Sequence, residues 1–137
     1  MVVTRASVGS QSLFGRGYVL PEPVAAALER VFGEPVDRVR IIEHSLYARI
    51  HLGVSATTRP DRIFLAIGGA EFVANPDCLL HEYFHVLRQW GTGRLTRRRY
   101  LIESARHGYW ANAYEREARE FAAAASERYR RYLGTSG

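Results

Sequence analysis

Lysine is absent from this sequence of 137 residues, and cysteine occurs once, at Cys78. No apolar run approaches the ~20 residues that span a bilayer. Each absence excludes something. A lone cysteine cannot build a disulfide framework or a cysteine-rich structural zinc site, so any bound metal must be held by histidine and carboxylate. All 19 cationic residues are arginine, a bias that fits GC-rich coding DNA better than a binding strategy. The formal charge of +5 favours acidic partners at long range, but weakly. Met1 to Tyr18 has no sustained apolar core, because Ser7, Gly9, Ser10, Gln11 and Ser12 interrupt it, so it does not read as a secretion signal. The expectation is a cytoplasmic protein with no membrane contact, with export by a signal-independent route left open.

Hydrophobic residues make up 47% and charged residues 24% of the chain, an ordinary globular composition. Residues 1–19, rich in Ser and Gly, read as a loose N-terminal arm, and residues 20–137 as a single domain. Pro21-Glu22-Pro23 opens a helix whose stripe is Val24, Leu28, Val31 and Phe32, and Gly33 closes it. Val36 to Glu43 alternates and reads as a strand. Ser45 to Leu52 fits a short helix capped by Ser45 as well as it fits a strand. Gly53 to Asp61 reads as a loop, and Arg62 to Ile67 as a strand ended by Gly68-Gly69. Asn75-Pro76-Asp77 is a strong helix start, with Asn as cap, Pro at the first position and Asp in the first turn. That helix is predicted to reach Trp90 and stop at Gly91. Another helix, capped by Thr96, is predicted over Arg97 to Arg106. A last one runs from about Asn112 to Leu133 through the Ala122 to Ala125 stretch. Strands mixed with segregated helices imply an α+β fold, a small mixed sheet packed on helices.

His81-Glu82-Tyr83-Phe84-His85 is an HExxH motif inside the predicted helix. At i and i+4 the two imidazoles share one face and can hold a single Zn²⁺ at about 2.0–2.1 Å. Glu82 points elsewhere, yet it can reach a water on the open side of the ion and take its proton as that water attacks a carbonyl. Leu79, Leu80, Tyr83, Phe84, Val86 and Leu87 surround the motif with apolar side chains.

A catalytic zinc needs a third protein ligand and an open position. Glu115 and Glu117 compete for that role. The apolar stripe of the last helix runs through Tyr114, Ala118, Phe121, Ala122, Ala125, Tyr129 and Tyr132. Glu115 lies on its edge and Glu117 nearer the solvent face, so Glu115 is the expected ligand. Its rival role is a capping box, with Glu115 returning to the backbone of Asn112. His44, His51 and His107 read as ordinary surface or partly buried residues, with only His107 kept as a site candidate. An oxyanion stabiliser is also required, and Tyr109, Tyr114, His107 and Arg119 are left as candidates.

The segments His81 to Gln89 (HEYFHVLRQ) and Asn112 to Ala122 (NAYEREAREFA) resemble the gluzincin branch of zincin metallopeptidases. The likeness is greatest to the small metallopeptidase domains associated with extracellular contractile injection systems. It spans roughly Leu20 to Ala125, and its HExxH part is specific to zincins. The resemblance implies a zincin-like fold with an HExxH helix and a long C-terminal helix, and a substrate lying along an edge strand, for which Arg62 to Ile67 is the candidate. It also implies Glu115 as third ligand. Gluzincins place an Asp or Asn four residues later to support a metal-bound His. Here that position is Arg119, which cannot accept a hydrogen bond, so the support must come from elsewhere, Asn112 or a backbone carbonyl being the candidates.

The expected function is therefore zinc-dependent hydrolysis of a peptide or protein substrate, with His81, His85 and Glu115 as ligands and Glu82 as general base. The rival is a zinc-binding scaffold or regulatory domain without useful catalysis. Nucleic-acid binding through Arg94 to Arg99 is disfavoured. In the last helix Arg116, Arg119, Arg128, Arg130 and Arg131 alternate with Glu115, Glu117, Glu120 and Glu127, the pattern of a solvated, ion-paired face.

Overall fold

The computed structural model describes residues 15–49 and 56–136. The fold is α+β. Its elements are β1 (Arg16–Tyr18), α1 (Glu22–Phe32), β2 (Arg40–Glu43), α2 (Leu46–Arg49), β3 (Ala56–Arg59), β4 (Arg62–Leu65), α3 (Gly69–Val73) and α4 (Pro76–Phe84). A π-helical segment (His85–Trp90), α5 (Arg97–Ala111, broken at Gly108 with φ 77°) and α6 (Ala113–Ser136) follow. The four strands form one mixed sheet in the order β1-β2-β4-β3. The central pair β2 and β4 is parallel, and the outer pairs are antiparallel.

One layer is the sheet, whose inner face offers Ile41, Ile63 and Leu65, all essentially inaccessible to solvent. The other is helical, with α6 packing chiefly on α4 and α1. Helix α1 buries Val24, Ala27, Leu28, Val31 and Phe32, the stripe its spacing predicts with Ala27 added. Phe121 of α6 stacks between Phe32 (5.1 Å) and Phe84 (4.7 Å), tying the three helices together. Each fully buried Leu or Phe contributes roughly 1.5–3 kcal/mol. The joint is closed at its rim by Arg88, whose guanidinium donates to the Phe32 carbonyl at the end of α1 (2.6 Å).

Three readings of the sequence change. Arg16–Tyr18, placed in the loose arm, is an edge strand paired with Ile41 to Glu43. Ala56–Arg59, read as loop, is strand β3. Arg59 faces Arg62 across the turn Pro60-Asp61, with Asp61 at φ 60°. Thr57 and Thr58 are good strand formers and Asp tolerates the left-handed region, so the pair of threonines before a proline marks a hairpin here. It follows that β4 is interior and β3 is the edge, which overturns Arg62 to Ile67 as the exposed strand. Ser45 caps α2, its hydroxyl accepting from the Ala48 amide (3.4 Å), which settles Leu46–Arg49 as helical; residues 50–55, with His51, lie outside the described residues.

Helix α3 was not anticipated. Its Phe72 is fully buried, and the Gly69 amide donates to Glu43 (2.6 Å). A Cβ at Gly69 would collide with the Tyr18 ring, so that position has to be glycine. Among the described residues no helix is long and apolar enough to cross a membrane.

Candidate metal centre

Helix α4 starts as its sequence dictates. The Asn75 side chain accepts from the Cys78 amide (3.2 Å), and Pro76 fills the first turn. The helix then drives Leu79, Leu80, Tyr83 and Phe84 into the core, which fixes its rotation. His81 and His85 therefore emerge together on the flank facing α6. From His85 the helix widens into a π turn, closed by the Gly91 amide on the Val86 carbonyl (2.8 Å). Such turns concentrate at functional sites.

The third group comes from α6. Asn112 starts that helix, its Oδ1 accepting from the amides of Tyr114 (2.8 Å) and Glu115 (3.4 Å), while its Nδ2 donates to Ser104 (2.9 Å). Only half of a capping box is formed, because the Glu115 carboxylate turns away from Asn112 toward the histidines. Glu115 Oε1 stands 3.0 Å from Nε2 of both His81 and His85, and those two nitrogens are 3.1 Å apart. Three potential ligand atoms thus form a near-equilateral triangle. Ligands at about 2.0–2.1 Å from a tetrahedral zinc stand about 3.3 Å apart, so this donor set needs to open by only a few tenths of an ångström.

The surrounding hydrogen bonds suit metal binding. His85 Nδ1 lies 2.6 Å from Gln89 Oε1. The Gln89 amide nitrogen is committed to two acceptors, the Tyr114 carbonyl (3.0 Å) and Glu117 (2.8 Å). Its oxygen must therefore face His85 and accept from Nδ1–H, which leaves the Nε2 lone pair for an ion. Glu117, assigned to solvent by the helical wheel, is half-buried, and it also pairs with Arg94 (3.0 Å). The far oxygen of Glu115 accepts from the Tyr100 hydroxyl (2.8 Å).

Residues 19–93 match the eCIS core domain, more than half of the chain. The chain belongs to the eCIS core domain family. No curated protein and no solved structure matches it. The eCIS core match takes in α1 through the π segment, and so His81, Glu82, His85 and Gln89. It ends before α5 and α6, which carry Tyr100 and Glu115.

A pocket of about 390 Å³ opens between α4 and α6 in this eCIS core protein. Asp77, Cys78, His81, Glu82, Arg119, Ala122 and Ala123 line it. Burial pushes the Glu82 carboxyl above its ordinary range; the charges of His85 and His81 oppose this and that of Glu115 adds to it. Burial, with help from the Glu82 charge, pushes the Cys78 thiol up to about 12. For His85 burial works downward, but the hydrogen bond and charge of Glu115, the charge of Glu82 and the Gln89 hydrogen bond together lift it to about 9. Burial would raise Glu115, and the hydrogen bonds from His81, His85 and Tyr100 with the His85 charge hold it well below the usual range.

The remaining site candidates separate. Arg119 lines the pocket beside Glu82. The Tyr114 hydroxyl donates to the Arg94 carbonyl (3.3 Å), and exposed His107 stands 3.9 Å from Glu103. His44 is exposed at φ 52°, and the Tyr109 side chain lies outside the described residues. The partner of the second histidine, sought at Asn112 or a backbone carbonyl, is Gln89. Its sequence signal was the spacing from His85, one helical turn on the same face. Tyr100 carried no such signal.

Proposed function

We propose that the chain is a zincin-like metallopeptidase domain over residues 20–137 that hydrolyses peptide bonds with zinc held by His81, His85 and Glu115. The observation that carries this reading is the triangle of two imidazole nitrogens and one carboxylate oxygen, with edges of 3.0–3.1 Å, beside a pocket lined by Glu82. The donor set, two histidines and a glutamate, is that of catalytic zinc sites. A zinc ion bound there supplies Lewis acidity, polarising a carbonyl and acidifying water.

The chain's own residues do the rest. Glu82, with its raised pKa, takes a proton from the attacking water and delivers it to the leaving amine. Gln89 holds the His85 ring in the tautomer that exposes Nε2, and Tyr100 occupies the second oxygen of Glu115 so that the first stays directed at the histidines. Leu79, Leu80, Tyr83 and Phe84 close the site on its core side, so solvent reaches it through the pocket. The partner is a peptide or protein lying in the pocket between α4 and α6.

The test is Glu82→Gln beside wild type, with metal content by mass spectrometry and cleavage of a broad peptide library. One zinc per chain in both proteins, with cleavage only by wild type, is expected. Cleavage by Glu82→Gln at the wild-type rate would remove the general-base assignment. One zinc per chain in both with no cleavage by either would establish the rival, a metal-binding scaffold.

A further inference from the structure

Helix α5 has two faces with different tasks. Its inner face is used up: Tyr100 holds Glu115, Ser104 accepts from Asn112, and Glu103 accepts from the Ala113 amide (3.0 Å). Its outer face carries Leu101 and Ile102, which are 64% and 49% exposed and rank among the large hydrophobics left open to solvent. At about 100° per residue, Ala105 falls between them one turn on, so a small, exposed residue separates the two aliphatic side chains.

Around this patch stand Arg97, Arg98 and Arg106, all exposed and none in an ion pair among the described residues. The one acid of the helix, Glu103, points inward to cap α6. An apolar centre with a rim of one charge sign is the arrangement of a protein-docking surface.

We propose that the outer face of α5 docks an acidic amphipathic helix of another protein, with apolar side chains four residues apart seated on Leu101, Ala105 and Ile102, and Asp or Glu facing the three arginines. A second copy of this chain is a poor occupant, because a two-fold contact would bring arginine against arginine. A nucleic acid would find aliphatic side chains where stacking aromatics are needed. Among the described side chains a membrane surface would receive two large apolar groups from a helix whose other face is pinned to α6. The proposal is independent of the metal centre.

The probe is a fluorescent helical peptide with leucines four apart flanked by glutamates, titrated into the full chain and read by anisotropy. A second peptide has lysine in place of glutamate. Binding of the acidic peptide is expected, weakened by high salt and about tenfold or more weaker for Leu101→Ser/Ile102→Ser. The charge-reversed Arg98→Glu/Arg106→Glu protein is expected to switch preference to the lysine peptide. Circular dichroism confirms that both variants fold, and the two act on independent features, so failure of one to fold leaves the other decisive. Equal binding of both peptides by wild type, or no loss in either variant, would overturn the proposal. So would tighter binding to phosphatidylserine vesicles or to a DNA duplex than to the acidic peptide.

Discussion

The amide oxygen of Gln89 lies 2.6 Å from Nδ1 of His85, and the amide nitrogen of the same side chain is spoken for by Tyr114 and Glu117. One glutamine therefore sets both the tautomer and the tilt of a ring that meets the carboxylate from α6. Removing such a partner from a metal-binding histidine costs about 10–100-fold in affinity. Gln89→Leu is expected to weaken zinc binding by about that factor, while Gln89→Glu retains most of it, since a carboxylate still accepts from Nδ1–H. Competition against a chelator of known affinity measures both; equal affinities for wild type and Gln89→Leu would refute the assignment.

The Tyr100 hydroxyl makes a narrower prediction. Tyr100→Phe leaves the packing in place and removes the hydrogen bond to Glu115 (2.8 Å), a charge-assisted bond of about 1.5–3 kcal/mol. Zinc affinity is expected to fall by about tenfold, with the circular dichroism spectrum unchanged. An effect as large as that of Glu115→Ala would mean that the phenol does more than hold the carboxylate.

Protonation of the metal-free centre has a definite sign. His85 is lifted from 6.5 to about 9: burial lowers it, but Glu115, Glu82 and Gln89 outweigh burial. Its contribution to stability is fully present below pH 6.5 and is lost as pH rises through 9. Glu115 is held below its ordinary 4.5, so its contribution is present above that value and is lost on acidification. The thermal midpoint in EDTA is thus expected to fall between about pH 6.5 and 9. With zinc the alkaline trend reverses, because the ion takes the neutral imidazole. A metal-free midpoint that climbs over this interval would contradict the charge pairing.

Cys78 belongs to the pocket wall, but its thiol, pushed up to about 12 by burial and then by Glu82, is poorly nucleophilic. Alkylation by iodoacetamide near neutral pH is expected to be far slower than for a free thiol, and Glu82→Gln is expected to accelerate it. Mass spectrometry over a time course decides; rapid alkylation of wild type would be the contrary result.

The phenols of Tyr83 and Tyr129 are buried, and among the described residues neither hydroxyl has a hydrogen-bond partner. Burial raises both pKa values. An unpaired buried hydroxyl costs about 1–3 kcal/mol. Tyr129→Phe is therefore expected to raise the unfolding free energy by about 1 kcal/mol, as read by urea titration. A loss of more than that would show that the hydroxyl is satisfied in solution.

What could be read in the residues was what local chemistry dictates. Asn75-Pro76 announces α4, the i and i+4 histidines announce a shared face, and the Ala118–Ala122 stripe orients Glu115 inward. The edge strand was missed because Thr57-Thr58 before Pro60 reads equally as turn material, and only pairing with Phe64 and Ile63 decides it. Glu117 is the more exposed of the two acids, as its place on the helix implies, with its side chain 38% accessible against 6% for Glu115, but its partners were not legible. A helical wheel ranks positions by angle, whereas Glu117 is drawn in by Gln89 and Arg94, residues that only the tertiary fold brings near. Tyr100 likewise owes its role to the angle at which α5 meets α6.

His85 and Glu115 are 30 positions apart in the chain, and around them the two helical stretches meet through oily side chains and the bonds of Gln89 to Tyr114 and Glu117. An ion gripped by both would act as a clasp across the seam. Its withdrawal would leave only the pH-dependent pairing of His85 with Glu115 at the place where the long terminal helix is fastened. Chelation should then be felt first as fraying of that helix, before the sheet notices.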